Sequence, residues 1–190
     1  MTEQSVVFDR AASYYDETRG LPSEIIPDAM ALIAELGQFK PDDHILEVGI
    51  GTGRIALPLS KHVAHIYGVD LSRPMMAQLQ AKQSDEPVSL AEADATKLPF
   101  PSHSMDGVVV SHVFHLVPNW QDMLSEIARV LRPNAPLVHV GGAILRPFHR
   151  EISQKIEKDS GAVGVPHDKQ ETFLQENGWR MLGEKRELTY

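Results

Sequence analysis

Short unbroken apolar runs alternate along this chain with longer stretches in which apolar residues recur every three or four positions. The short runs, at 44–48, 65–70, 88–92, 107–111 and 136–142, read as strands. The run 107–111 is continuously apolar, so it is expected at the centre of a sheet covered on both faces. The longer stretches read as amphipathic helices. Residues 5–19 gather Val6, Val7, Phe8, Ala11, Ala12 and Tyr15 near one face, with Gly20 past the end. Residues 23–36 do the same with Ile25, Ile26, Ala29, Met30, Ile33 and Leu36; Ser23 is the expected N-cap and Gly37 the stop. A further helix is expected from Ile55, Ala56, Leu57 and Leu59, and another from the Ser72 cap to about residue 83, with Pro74 in its first turn. Residues 119–131 carry Met123, Leu124, Ile127, Val130 and Leu131 on one face until Pro133, and 168–177 form the last helix before Gly178. Strands alternating with helices predict an α/β fold with a doubly wound, mostly parallel sheet.

The first strand runs into Glu47-Val48-Gly49-Ile50-Gly51-Thr52-Gly53-Arg54. Glycines at alternate positions let the backbone turn sharply and approach a ligand closely, since no Cβ intrudes. Strand, glycine loop and helix together make a nucleotide cradle. A dinucleotide fingerprint would put its third glycine at position 54, which is Arg54; here the glycine is Gly53. Glu47, just before the loop, would repel a pyrophosphate and favour a cationic sulfonium or amino group. The second strand ends in Asp70, seventeen residues after Gly53, and a carboxylate there can accept both hydroxyls of a ribose.

E-V-G-x-G-x-G followed by V-D resembles the class I S-adenosylmethionine-dependent methyltransferases. The segment Phe8-Asp9-Arg10-Ala11-Ala12-Ser13-Tyr14-Tyr15-Asp16 is similar to the N-terminal lid of the ubiquinone/menaquinone-biosynthesis-like group within that family. The resemblance implies a Rossmann-like sheet of order 3-2-1-4-5 plus a C-terminal strand, with N-terminal lid helices. It further implies S-adenosyl-L-methionine as cofactor, with its methionine end at Glu47, Gly49, Gly51 and Gly53 and its ribose at Asp70. The adenine would lie against Leu71, Met75, Asp94 and Ala95, and Gly49 and Ser111 would face each other across the methyl donor. Tyr14, Tyr15 and Arg19 would sit near the site as part of the lid. Blander roles stand beside several of these: the tyrosines as helix packing, Arg19 as surface, Met75 or Met76 as core filler, Asp94 as a turn cap. His115 occupies a place where the family often carries histidine, as a pocket or structural residue or as a general base for an acidic acceptor. His112 and His115 alone are too few ligands for a metal, so none is expected.

The 190 residues suit one domain, 1–190, made of lid helices (1–40), a cofactor-binding core (44–142) and an incomplete C-terminal part (143–190). A net charge of −8 argues against broad binding to nucleic acid or an anionic membrane and favours a small-molecule acceptor. No cysteine is present, no run approaches the roughly 20 apolar residues that span a bilayer, and Met1-Thr2-Glu3-Gln4 does not open a signal peptide. A cytoplasmic protein is expected. The turn Leu131-Arg132-Pro133-Asn134-Ala135 resembles the family's L-x-P-G-G with both glycines replaced, though Asn134 tolerates a left-handed conformation. Residues 148–167 look irregular, 179–190 read as one long strand, and no sequence remains for the family's seventh strand. The expectation is therefore a truncated chain with an unpaired sheet edge.

In-line methyl transfer needs alignment and exclusion of water rather than a nucleophilic side chain, so the lack of a Ser-His-Asp or Cys-His set fits it. The alternative function is a protein that binds S-adenosylmethionine or S-adenosylhomocysteine without turnover. An NAD-dependent oxidoreductase is disfavoured by the displaced glycine and by Glu47.

Overall fold

A computed structural model of the protein describes residues 9, 12–19, 22–140 and 167–180. The short apolar runs form β1 (His44–Val48), β2 (His65–Asp70), β3 (Val88–Glu92), β4 (Gly107–Ser111) and β5 (Leu137–Val140). They pair in the order β3-β2-β1-β4-β5, and every pair is parallel. The helices among the described residues are α1 (Tyr15–Arg19), α2 (Ile26–Gly37), α3 (Ala56–Leu59), α4 (Arg73–Lys82), α5 (Trp120–Val130) and α6 (His167–Glu176). None is long and apolar enough to cross a membrane.

Because side chains alternate along a strand, the sheet needs apolar cover on both faces, and the helices divide accordingly. On one face Ile45, Ile66, Val109 and Val138 pack with Met30 and Ile33 of α2, Ala56 and Leu59 of α3, and Met76 and Leu79 of α4. On the other, Leu46, Val48, Val69, Val108 and Val110 pack with Met123, Leu124 and Ile127 of α5, and Phe173 and Leu174 of α6 lie against that cluster. Phe173 meets the Trp120 ring edge-on, with centroids 5.1 Å apart. Four of the five β4 residues are buried, as its unbroken apolar run requires.

Residues 93–106 link β3 to β4 without a helix, and the two prolines Pro99 and Pro101 account for that. The link is clamped instead to α5. Arg129 donates to the carbonyls of Phe100 (2.8 Å) and Leu98 (2.9 Å), and Glu126 accepts from the Leu98 N–H at 2.8 Å. Glu126 and Arg129 also pair with each other at 2.7 Å. Leu98 is thereby held in the cluster where a helix would otherwise supply an apolar side chain.

Several boundaries differ from expectation for local reasons. Ser23 does not cap α2; the cap position is Ile25, without a side-chain bond, and Pro27 lies in the first turn. Gly37 is inside the helix rather than its stop. A Cβ there would lie 2.4 Å from the Phe39 ring, and Gln38 takes the left-handed conformation (φ 51). Ser72 caps α4 as expected, accepting from the Met75 N–H, and Asn134 is left-handed (φ 65). Asn119 precedes α5 without making a side-chain cap. Among the described N-terminal residues the α-helix is α1, with Ala12, Ser13 and Tyr14 in a turn. Trp179 and Arg180 are not in a strand. Residues 1–8, 141–142, 148–166 and 181–190, on which the start of the first helix, the end of the fifth strand, the irregular link and the C-terminal strand were expected, lie outside the described residues.

Ile127 is fully buried at the centre of the α5 face. Ile127→Ala is expected to lower stability by about 2–5 kcal/mol, because the surrounding strands cannot close the void. Urea unfolding checks this; an unchanged midpoint would show that α5 is not packed as described.

Candidate functional site

Where the strand order reverses, between β1 and β4, the C-terminal ends of the strands open into a cleft. Its floor is the glycine loop. Gly49, Gly51 and Gly53 all have positive φ (74°, 53° and 76°). At Gly49 the requirement is double: a side chain would be strained there, and a Cβ would lie 2.2 Å from Val113 Cγ2. Gly53 faces away from the cleft and against Leu79 of α4, so its role here is packing. The loop rests on β2 through Ile50, whose Cδ1 lies 2.0 Å from where a Cβ of Gly68 would be. Gly49 and Ile50 both donate to the Val69 carbonyl, at 2.8 and 3.0 Å.

Asp70 closes β2 and joins the two turns. One carboxylate oxygen accepts from the Gly51 N–H and the other from the Ser72 N–H, each at 2.8 Å. A carboxylate has about four acceptor sites, and those that the backbone leaves are open to a ligand. Burial raises the Asp70 carboxyl above its usual value, opposed by the N–H groups of Ser72, Gly51 and Leu71 and reinforced by the charge of Asp9.

Glu47 sits beneath the loop, 3% exposed. Burial pushes its carboxyl up to about 8; Arg54 opposes that rise, Asp70 adds to it, and the Ala56 N–H donates to it. Among the described residues two buried side-chain oxygens have no hydrogen-bond partner, Glu47 Oε2 and Ser111 Oγ, and both residues line this cleft. Val48 pairs with Val110, which sets Gly49 level with Ser111 across the β1–β4 pair. Two orphaned oxygens in one cleft suit a ligand that donates hydrogen bonds and carries positive charge. The donor set thus fits an ammonium and a sulfonium next to a ribose, which is the chemistry of S-adenosyl-L-methionine.

The expected site residues divide clearly. Tyr15, Glu47, Gly49, Gly51, Asp70, Leu71, Met75, Ala95 and Ser111 line the cleft. Met75 faces it while Met76 belongs to the core, and Leu71 stands 36% exposed. Asp94 is exposed and away from the lining, where its carboxylate accepts from the Thr96 N–H and hydroxyl, each at 2.8 Å. His115 is exposed on the 3-10 turn Phe114–Leu116, which turns Leu116 toward the cleft. Arg19 closes α1, and its side chain lies outside the described residues.

Other residues at the site escaped the reading of the sequence. Arg54, Thr52 and Val117 line the cleft. The N-terminal segment is clasped over it by Asp9, which accepts from the Ser72 hydroxyl at 2.7 Å, and by Asp16, which takes the Thr52 hydroxyl and the Lys82 ammonium, each at 2.5 Å. Burial works against Asp16 ionising, but Lys82 and Thr52 hold its carboxyl below the usual value. The Arg54 guanidinium lies over the Tyr15 ring, 5.6 Å from its centroid. Two acids spaced by seven in an N-terminal amphipathic segment were the available signal, and it is a weak one.

A parallel order 3-2-1-4-5 with a glycine cradle at the reversal and an acid ending β2 defines a Rossmann-like nucleoside-binding protein. The family model of the methyltransferase domain matches residues 46–139. The chain is 39% identical over 100 residues to phosphatidylethanolamine N-methyltransferase of Cereibacter sphaeroides, covering 50% of this chain and 49% of that one. It is 30% identical over 163 residues to 2-phytyl-1,4-naphtoquinone methyltransferase of Trichormus variabilis, covering 80% and 68%. Its fold superposes on an S-adenosylmethionine-dependent methyltransferase of Aquifex aeolicus with TM-score 0.64 at 21% identity, covering 86% of each chain. This chain belongs to the S-adenosyl-L-methionine-dependent methyltransferase family. It spans about half the length of the first of these curated relatives.

Glu47 yields a pH test. Unfolded, its carboxyl ionises near the ordinary 4.5; folded, near 8. Between those values the folded chain holds a proton that the unfolded chain has lost, so this group's contribution is full below about pH 4.5 and is lost as pH rises through about 8. Glu47→Gln keeps the shape and removes the slope. Its stability relative to wild type should rise from pH 5 to pH 8 in urea unfolding, and a pH-independent difference would contradict the assignment.

Proposed function

We propose that this chain transfers a methyl group from S-adenosyl-L-methionine to a small, largely apolar acceptor, acting as a single domain whose core is 44–142. The observation that carries the reading is the pairing of a buried, partly unpartnered Glu47 with a backbone-held Asp70 on either side of one glycine loop. Asp70 accepts the ribose hydroxyls, Glu47 and Ser111 take the ammonium end, and Leu71, Met75 and Ala95 flank the base. When bound, the cofactor supplies a carbon already activated for displacement by its sulfonium. The protein's part is to align the acceptor and keep water away, and alignment alone can supply several kcal/mol.

Val113, Leu116 and Val117 support an apolar acceptor, since they add no charge to that side of the cleft. Relatives named for a phytylated naphthoquinone and for phosphatidylethanolamine support the same class. Tyr15 on the clasped N-terminal segment serves as cover, and Asp94 and Arg19 are secondary candidates for cofactor contact. His115, exposed and outside the lining, is given no step. A cytoplasmic setting belongs to the same reading.

Calorimetric titration with S-adenosylhomocysteine and with NAD, on wild type and Asp70→Ala, is the test. Binding at about micromolar strength to the former, weakened at least about tenfold in the variant and absent for NAD, is expected. No binding by a folded wild type would defeat the proposal. Binding without turnover on a panel of quinones, phenols and amines would leave a non-catalytic binder.

A further inference from the structure

We infer that His112 is a positioning residue: its left-handed backbone, not its imidazole, turns the chain after β4 so that Val113, Leu116 and Val117 form the acceptor side of the cleft. This role rests on the methyl transfer proposed above and adds which residue shapes the acceptor side. Four described residues other than glycine have a positive φ, namely Gln38, His103, His112 and Asn134. Gln38 follows α2, and His103 and Asn134 lie in turns outside the cleft lining. His112, with φ 55, is the one of the four flanked by lining residues, Ser111 before it and Val113 after it.

For a residue with a Cβ this conformation is unfavourable and persists only where the surroundings hold it. Here both sides hold it. Before the turn, the His112 N–H donates to the Val140 carbonyl at 3.2 Å, so β4 stays paired with β5 up to the residue that turns. After the turn, Val113 occupies the space that a Cβ on Gly49 would need. Phe114 is buried, with its ring edge-on to His139 and centroids 4.6 Å apart.

An extended His112 would let β4 run on in the sheet, with its next side chains alternating between the two faces. One left-handed residue ends that course. The Leu116 N–H then closes a turn on the Val113 carbonyl at 2.8 Å, and the 3-10 turn Phe114–Leu116 delivers Leu116 and Val117 to the cleft. Val113 and Val117 also belong to the apolar cluster packed on α5, so the core backs this wall. Its place in the cleft therefore follows from the conformation at residue 112.

Substitutions at 112 separate the backbone from the imidazole. Asparagine and glycine accept the left-handed region, whereas valine, branched at Cβ, does not. The sequence contains no cysteine, so Leu116→Cys supplies a single thiol as a reporter of the wall. Its labelling rate with methyl methanethiosulfonate should stay within about twofold when His112→Asn or His112→Gly is added and rise at least about fivefold with His112→Val. In the chain without that thiol, and with 1,4-naphthohydroquinone as the acceptor probe, His112→Val should raise KM at least about fivefold. Its affinity for S-adenosylhomocysteine by calorimetry should change by less than about threefold, and His112→Asn and His112→Gly should keep KM within about twofold. Thermal unfolding checks that the variants are folded; if His112→Val is not, His112→Ala must show the same pattern on a smaller scale. A thiol rate or a KM that does not rise in His112→Val overturns the inference. So does an equal effect in His112→Asn and His112→Gly, which would give the role to the imidazole. If wild type does not methylate this hydroquinone, the thiol rates decide alone. Failure of wild type to bind S-adenosylhomocysteine defeats the proposed function itself, a result distinct from any pattern of thiol rates.

Discussion

The Asp70 carboxylate is the tie on which the cleft depends. It receives one backbone N–H from the loop after β1 and one from the turn after β2. These turns come from separate crossovers, and nothing in either alone fixes its distance from the other. A carboxylate with two oxygens spans them, and being half-buried it does so where such bonds are stronger than in open water. In the proposed reading the same bonds orient the carboxylate for the diol of a ribose. On that reading one group serves both structure and binding, and the N–H bonds limit how far burial raises its carboxyl.

A second set of polar contacts is layered on the first. Asp9 reaches the Ser72 hydroxyl, Asp16 reaches Thr52 and Lys82, and Tyr15 lies under Arg54. Each joins the N-terminal segment to a residue of the glycine loop, to Ser72 at the start of α4 or to Lys82 at its end. Surface ion pairs of this kind contribute little singly. Here they bear on a five-residue helix, too short to persist without tertiary support. The cover is thus a weakly held element whose attachments are the same turns that form the cleft.

The strands were legible in the sequence because a buried parallel strand must be apolar on both faces and short, a pattern few other segments share. β1 to β4 begin and end where the apolar runs do. Helix ends were less legible. Ser23 had the chemistry of a cap and Gly37 that of a stop, yet α2 starts later and carries Gly37 inside it, since the ring of Phe39 needs the space. Asp94 could be read as a base contact or a turn cap, and Thr96 two residues on now holds it in a turn.

The sequence by itself determined the cradle: alternate glycines after an apolar run, Glu47 before them and an acid at the end of the next strand. Those features are local, and local sterics and charge make them readable. Which residues would join them across the chain was decided by packing. Thr52 against Asp16, Ile50 against Gly68 and Val113 against Gly49 are separated by 18 to 64 positions, and each depends on how the chain settles on one sheet. Arg54 shows the same limit. Its place in the sequence was plain, but its setting came only when Tyr15, Glu47 and Asp70 were brought around it, because the role of a charge depends on the charges it faces.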